Sequence, residues 1–276
     1  MTDHFDALVI GSGVGGICTA ARLAQAGYKT LLVESLERVG GRASTREVDG
    51  FLLNTGGFAI ERGGMVDKTR DLLGLPLKLY VPETETVLIC GKRQFQLSSG
   101  VTAVARSTVP KMLDVLTRAI PYVRPQKGEM VEQWLNKFTK SKAIHQFIEN
   151  VNCSFFAATN KELPADVFLH YIARGSSFKK IGFVPGGTIE VWKPMAKFIE
   201  DNGGEVCLNP PVKKLLFDGN GLVNGAEIER NGEIVRVTAG LAVSNAGPLA
   251  TVKMAGADKF PAGYADFVEK STDPSA

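Results

Sequence analysis

Cysteine is scarce in this sequence, and what there is lies scattered: Cys18, Cys90, Cys153 and Cys207 are the only four in 276 residues. There is no Cys-x-x-Cys pair and no Cys/His cluster, so neither a metal site nor a disulfide framework is expected, and a reducing cytoplasm is the compartment that fits. Histidine is scarcer still. His4, His145 and His170 stand far apart without a recognisable metal or nucleophile partner, and each reads as a surface or satisfied core residue. Ser12 and Ser44 lack the context of a nucleophile elbow. Long apolar runs are missing too. The stretch from Ala7 to Ile10 is only strand-length, and Met1-Thr-Asp-His-Phe-Asp6 carries no basic region ahead of it, which argues against a signal peptide and a membrane span. Charge of one sign is not in excess: 32 Lys and Arg against 29 Asp and Glu leave +3. With no basic stripe interleaved by aromatics, nucleic acid is not an expected partner. What remains is 44% hydrophobic and 22% charged, the composition of a folded protein with enough chain for one large domain or two joined ones.

The first 34 residues read as one β-α-β unit. Asp6 to Ile10 is a short buried strand, Gly11 to Gly16 a glycine-rich turn, and Ile17 to Ala26 a helix rich in alanine that Gly27 ends. Thr30 to Val33 is the second strand, with Glu34 at its end. Short strands follow at Thr86 to Ile89 and Gln94 to Leu97, with a helix near Val66 to Leu73. Helical spacing dominates residues 101–180: Val109, Met112, Leu113, Leu116 and Ile120 form one set, and Trp134, Leu135, Phe138, Ile144, Phe147 and Ile148 another. Pro185-Gly186-Gly187 breaks the chain. A helix then runs from about Thr188 to Asn202 and stops at Gly203-Gly204. Strands are expected at Val206 to Leu208, Val212 to Phe217, Leu222 to Glu229, Ile234 to Thr238 and Leu241 to Ser244, with hairpin turns at Asp218 to Gly221 and Asn231-Gly232.

Gly11-Ser12-Gly13-Val14-Gly15-Gly16 has the spacing G-x-G-x-x-G, and each glycine of the pattern has its own task. Gly11 permits the tight turn off the strand. Gly13 lets the backbone approach a pyrophosphate, and Gly16 lets the helix lie close to the strand. The helix start offers free N–H groups and partial positive charge to phosphates, worth on the order of 0.3–2 kcal/mol. Glu34, about twenty residues on, is placed to accept hydrogen bonds from both ribose hydroxyls of an adenosine, at roughly 1.5–3 kcal/mol for a charge-assisted bond. Its charge also repels a 2′-phosphate, which disfavours NADP. This fingerprint alone leaves NAD and FAD open.

The next segment, Glu34-Ser35-Leu-Glu-Arg-Val-Gly40-Gly41-Arg42-Ala-Ser44, resembles the extension after the second strand in the flavin-containing amine oxidase and phytoene desaturase superfamily. The resemblance implies FAD as cofactor, with the glycine pair and Arg42 near its pyrophosphate. Phe51-Leu-Leu-Asn-Thr-Gly56-Gly57 resembles the family stretch leading toward the flavin, with Asn54 where an aspartate is usual. Phe183-Val-Pro-Gly-Gly187 resembles the return to the FAD domain. Gly204 to Val212, with Asn224-Gly-Ala226, resembles a strand pair in which the residue at Val212 meets the adenine through its backbone. Ala242-Val-Ser-Asn245-Ala246 resembles the strand and loop that pass the cofactor. The pattern of 184–254 is nearer the phytoene desaturase and retinol saturase branch.

These readings give an α/β fold of the two-domain flavin type. A doubly wound, Rossmann-like FAD-binding domain is built from 1–65 and 185–276, and a largely helical substrate or lid region from 66–184 is inserted in it. The implied activity is hydride transfer from a C–H bond of an apolar small-molecule substrate, with no catalytic side chain named. The family's second, C-terminal FAD motif is not seen. Three explanations stay open: a fragment of a longer chain, a second polypeptide that supplies the rest, or a shortened relative without catalysis. A non-catalytic subunit holding FAD or ADP, and a redox-neutral carotenoid-type isomerase, are the rival functions. Residues 101–150 carry eight Lys and Arg against four Asp and Glu. A solvated helix face is the default there, and a peripheral membrane contact the alternative.

Overall fold

A computed structural model of the chain describes residues 3–81, 87–90, 93–96, 108, 112–113, 115–117, 119–173 and 181–272. In chain order the elements are β1 (Asp3–Ile10), α1 (Val14–Gln25), β2 (Thr30–Glu34), β3 (Thr45–Val48), β4 (Phe51–Asn54), β5 (Ile60–Glu61), α2 (Met65–Leu72), β6 (Val87–Cys90), β7 (Arg93–Gln96), α3 (Val131–Leu135), α4 (Lys142–Phe156) and α5 (Ala165–Ala173). They continue with β8 (Ile181–Gly182), α6 (Ile189–Asp201), β9 (Glu205–Leu208), β10 (Val212–Phe217), β11 (Val223–Arg230), β12 (Glu233–Ser244), α7 (Pro248–Ala255) and α8 (Tyr264–Ser271). Val109, Thr86 and Leu97, which helical and strand readings included, lie outside the described residues.

The chain divides into two units, Met1–Val81 with Ile181–Ala276 and Pro82–Lys180. The division falls later than residue 65 because α2 and the chain after it join the first core. Leu73 and Leu77 are buried there, and the buried guanidinium of Arg70 donates to the carbonyls of Leu75 and Val191. It falls before residue 185 because β8 pairs with β5, Ile60 opposite Gly182.

The first unit is α/β, around a sheet of order β10-β11-β12-β1-β2-β9. β12, β1, β2 and β9 run parallel, while β10, β11 and the first half of β12 form an antiparallel meander. A flat sheet of this order is not feasible. Its edge strands β9 and β10 would stand about 24 Å apart at 4.8 Å per step. The four Cα steps from Leu208 to Val212 reach only about 14 Å. The meander therefore folds back over the parallel strands, and the core shows it. Leu8, Ile10, Leu31 and Val33 pack with Leu215, Ala226, Ile228 and Val237 of the meander. The alternate residues Val9 and Leu32 face the other way, onto Ile17, Ala20, Ala21 and Ala24 of α1 and Trp192, Met195 and Ile199 of α6. Strand alternation thus sorts one set of apolar residues toward helices and the other toward strands.

β12 corrects one expectation. The two strands read at 234–238 and 241–244 are a single one, continuous through Gly240. Its first half pairs antiparallel with β11 and its second half parallel with β1. β3 and β4 form a hairpin that had not been read, turning at Asp49-Gly50, both at positive φ.

In the second unit, β6 and β7 pair as a hairpin, and α3 to α5 close around Val131, Trp134, Leu135, Leu163, Phe168 and Leu169. Of the helical set around Trp134 to Ile148, Trp134 and Leu135 lie in α3 and Ile144, Phe147 and Ile148 in α4, while Phe138 lies in the turn between them. No helix among the described residues is long and apolar enough to cross a membrane.

Candidate cofactor site

The site is built where β1 turns into α1. Gly11 takes φ +91°, a left-handed conformation that suits glycine, and its N–H donates to the carbonyl of Val33 at 2.7 Å. Gly16 lies so close to the strand end that a Cβ on it would stand 1.9 Å from the carbonyl oxygen of Gly11. Gly13 caps the helix and has no side chain to satisfy the first N–H groups, and the first turn holds no acidic residue. This start of α1, from Val14 through Gly15 and Gly16, suits an anion that needs backbone donors and partial positive charge.

Two further segments close on the turn. Gly40 bridges Gly13 in parallel fashion, and its N–H donates to the carbonyl of Ser12 at 3.0 Å. A Cβ on Gly41 would stand 3.3 Å from the Gly13 Cα. Arg42 is thereby carried to the side of the turn. On the other side, Asn245 donates its backbone N–H to Ile10 at 2.7 Å and lays its carboxamide over Gly13 and Gly15. Ala246 follows beside Gly11.

Glu34 is buried, and its carboxylate is already engaged. One oxygen accepts the N–H and the hydroxyl of Ser12, each at 2.7 Å. The other accepts the Leu36 N–H at 2.9 Å and the Ser35 hydroxyl at 3.2 Å. Glu34 thus ties the phosphate-type turn to the 35–36 turn, a structural duty that sequence reading had not given it. The two hydroxyls can rotate away and leave acceptor capacity for a ribose; the two N–H groups cannot. Glu34→Ala is therefore expected to lower thermal stability as well as ADP affinity. About 1.5–3 kcal/mol is at stake for each hydrogen bond to the charged carboxylate. Thermal denaturation of Glu34→Ala beside calorimetric ADP titration checks this, and an unchanged melting temperature would refute the structural part.

Gly40 was expected to serve close approach to the cofactor, but the structure gives it another neighbour. A Cβ there would stand 2.3 Å from Cδ1 of Trp192, a fully buried residue of α6 whose indole N–H donates to the carbonyl of Ala43. Ser44 closes the same loop by donating to the Val39 carbonyl at 2.8 Å. Trp192 therefore clamps the 39–44 segment from beneath. Sequence reading missed this support, since only helical spacing on a distant helix pointed to it.

The remaining expected residues lie further out. A Cβ on Gly56 would stand 2.3 Å from the Arg42 carbonyl oxygen, and one on Gly57 would stand 3.5 Å from the Ala43 Cβ. Asn54 accepts the hydroxyls of Thr45 at 2.9 Å and Thr188 at 3.4 Å, a neutral acceptor's role that needs no carboxylate. Val212 opens β10 opposite Ile228. Three residues before it, the Asn209 N–H donates to the carbonyls of Glu34 and Leu36, at 2.8 and 3.0 Å, which brings the start of β10 to the end of β2.

The parallel sheet, the uncapped glycine turn, the carboxylate at the next strand end and the glycine pair laid against the turn come together in one α/β unit. The sequence profile of the flavin containing amine oxidoreductases matches residues 14–261, and the chain belongs to that family. Among its relatives is an inactive all-trans-retinol 13,14-reductase from Danio rerio, 24% identical over 90% of this chain and 48% of that one. Another is a lycopene-forming phytoene desaturase from Pantoea ananas, 25% identical over 77% and 50%. A chloroplastic prolycopene isomerase from Daucus carota is 23% identical over 84% and 45%. The chain spans about half the length of these curated relatives. In fold it is similar to an oxidoreductase from Methanosarcina mazei, with a TM-score of 0.76, 22% identity, and 95% of this chain and 64% of that one covered. Putrescine oxidase bound to putrescine gives 0.73, 21%, 98% and 64%.

Proposed function

We propose that this chain is the nucleotide-binding part of an FAD-dependent oxidoreductase that takes a hydride from a C–H bond of an apolar substrate. The observation that carries the reading is the convergence of Gly11–Gly16, Glu34 and Gly40–Arg42 on one uncapped helix start. When bound, the flavin supplies the two-electron acceptor for such a reaction. The chain's own residues bind and orient. The N–H groups of Val14, Gly15 and Gly16 and the guanidinium of Arg42 hold the pyrophosphate. Glu34 holds the adenosine ribose, assisted by Ser12 and Ser35. The backbone at Val212 would meet the adenine, and Asn245 and Ala246 border the turn. Gly56 and Gly57, which have no side chains, would let the chain run close to the cofactor. Hydride transfer needs placement and exclusion of water more than an ionised side chain.

The names of the relatives, a desaturase, an isomerase and an inactive reductase, show that this fold carries more than one outcome. The cofactor reading is tested by denaturing the purified protein and identifying the nucleotide released. FAD in near-stoichiometric amount is expected; stoichiometric NAD without flavin would end the reading. Net transfer of electrons to a dye acceptor separates the oxidoreductase from an isomerase.

A further inference from the structure

Trp192 stands outside the segments that form the nucleotide site, yet its indole reaches into one of them. It is fully buried on α6, beside Val191, Met195 and Ile199, which pack with the buried face of α1. An apolar side chain of similar size would serve that packing. The indole adds an N–H donor, and a buried N–H needs an acceptor. That acceptor is the carbonyl of Ala43, in the loop 39–44. The indole edge also lies directly under Gly40, where an ideal Cβ would stand 2.6 Å from Nε1.

The loop is fixed from several sides. Gly40 donates its N–H to the carbonyl of Ser12 at 3.0 Å, which sets the loop against the glycine turn. Ser44, itself fully buried, donates its hydroxyl to the Val39 carbonyl at 2.8 Å and closes the loop on itself. Trp192 holds Ala43 from α6, and a Cβ on Gly187, just ahead of that helix, would stand 2.8 Å from the Cβ of Thr45. Arg42 sits between these anchors. Its backbone is pinned through Gly41, against Gly13, and through Ala43, against Trp192, while Arg42 itself is exposed. A guanidinium whose backbone is already in place loses less freedom when it pairs with a phosphate.

We propose that Trp192 is a positioning residue of the nucleotide site: with Ser44, it holds the 39–44 loop so that Arg42 is presented to the phosphates at the turn. This rests on the nucleotide reading above and adds to it a residue from the far half of the chain. Fully buried, Trp192 acts through Arg42 and not on the ligand.

A double-variant cycle tests the route. The 276-residue chain is compared with Trp192→Phe, Ser44→Ala and Arg42→Ala, and with the two pairs that join each of the first two to Arg42→Ala. All are titrated with ADP by calorimetry, below their melting temperatures. Trp192→Phe keeps a ring in the core and loses the N–H donor. It is expected to lower ADP affinity about fivefold, the order of one hydrogen bond. Arg42→Ala should lower it roughly tenfold or more. Each pair should bind ADP as Arg42→Ala does, within about twofold, because a loop without the guanidinium has nothing left to position. A purely structural Trp192 would give losses that add. Additive losses overturn the proposal, as does parent-like ADP affinity in Trp192→Phe or in Arg42→Ala. Should Trp192→Phe fail to fold, the Ser44→Ala pair, which opens the same loop and leaves the indole in place, decides by the same criterion. A parent chain that does not bind ADP removes the nucleotide reading itself, and the proposal with it.

Discussion

Gly16→Ala is expected to destabilise the first unit strongly, whereas Gly13→Ala is expected to leave it as stable as the parent but weaken its hold on the nucleotide. Both glycines belong to one six-residue turn, and the structure separates their duties. A methyl group on Gly16 would sit 1.9 Å from the Gly11 carbonyl oxygen and 3.1 Å from the Asn245 Cβ. Backbone cannot yield as a side-chain tip can, so α1 would have to lift from β1. Ile17, Ala20 and Ala21 of that helix are fully buried against Val9 and Leu32, and all of those contacts would open. Overpacking alone costs about 1–3 kcal/mol, and the opened contacts add to it. Against a total stability of about 5–15 kcal/mol this is a large share. At roughly 2–4 °C per kcal/mol the melting temperature should fall by on the order of 10 °C or more. Gly13 is different. Its φ of −55° and ψ of 171° are open to any residue. An added Cβ would meet only the exposed side chain of Asn245, 2.8 Å from its Oδ1, and that tip can turn away. The melting temperature should hold, while the methyl group occupies the space a pyrophosphate needs and ADP affinity falls by more than about tenfold, a loss above 1.4 kcal/mol. Normal ADP binding by Gly13→Ala would mean that the phosphates are not on this turn. A parent-like melting temperature for Gly16→Ala would mean that close helix packing is not what that glycine serves.

Much of this unit could be read from sequence because its signals are local. Strand, glycine turn, helix and second strand lie within the first 34 residues, and Gly16 of the fingerprint answers to the carbonyl of Gly11, five residues away. The hairpin turn at Asn231-Gly232 has both residues at positive φ, at 52° and 81°, the chemistry that this pair of residues favours. What escaped has a common physical cause, which is distance along the chain. Gly40 makes room for Trp192, more than 150 residues on, so its reason could not be found in the segment that contains it. Gly240 reads as a strand break by propensity. In the structure, the strand passes through it while exchanging one neighbour for another, and a glycine there leaves 3.4 Å between an ideal Cβ position and the Asp6 carbonyl oxygen. The meander's return over β1 and β2 follows only once strand order and the short Asn209-Pro-Pro211 link are considered together. The Asp49-Gly50 hairpin is a different kind of miss. Its turn signal was present, but Phe51-Leu-Leu-Asn54 drew attention as an approach to the cofactor rather than as a strand.

Titrated with FAD and supplied with an electron-accepting dye, the isolated 276 residues are expected to bind the cofactor weakly and to turn over no substrate. The residues proposed to hold the ADP half are drawn together within this chain: Ser12 of the turn bonds to Glu34 and to Gly40, and Gly40 bridges Gly13. Gly56 and Gly57, which by the family resemblance lead toward the flavin, are exposed, so a ring beside them would meet water unless other sequence covered it. A hydride leaving carbon must be delivered to a fixed ring position with water excluded. Placement of that kind accounts for roughly 7–11 kcal/mol of barrier in well-oriented systems. The curated relatives have about as much sequence again as the part matched here, and sequence of that kind is the candidate to cover a flavin ring. Supplying it, as a longer chain or as a partner polypeptide, should raise FAD affinity and restore dye reduction together, while ADP affinity stays where it was. The two preparations are compared by flavin titration, ADP calorimetry and dye-linked assay. Full turnover by the 276 residues alone would show that the ring is enclosed within this chain.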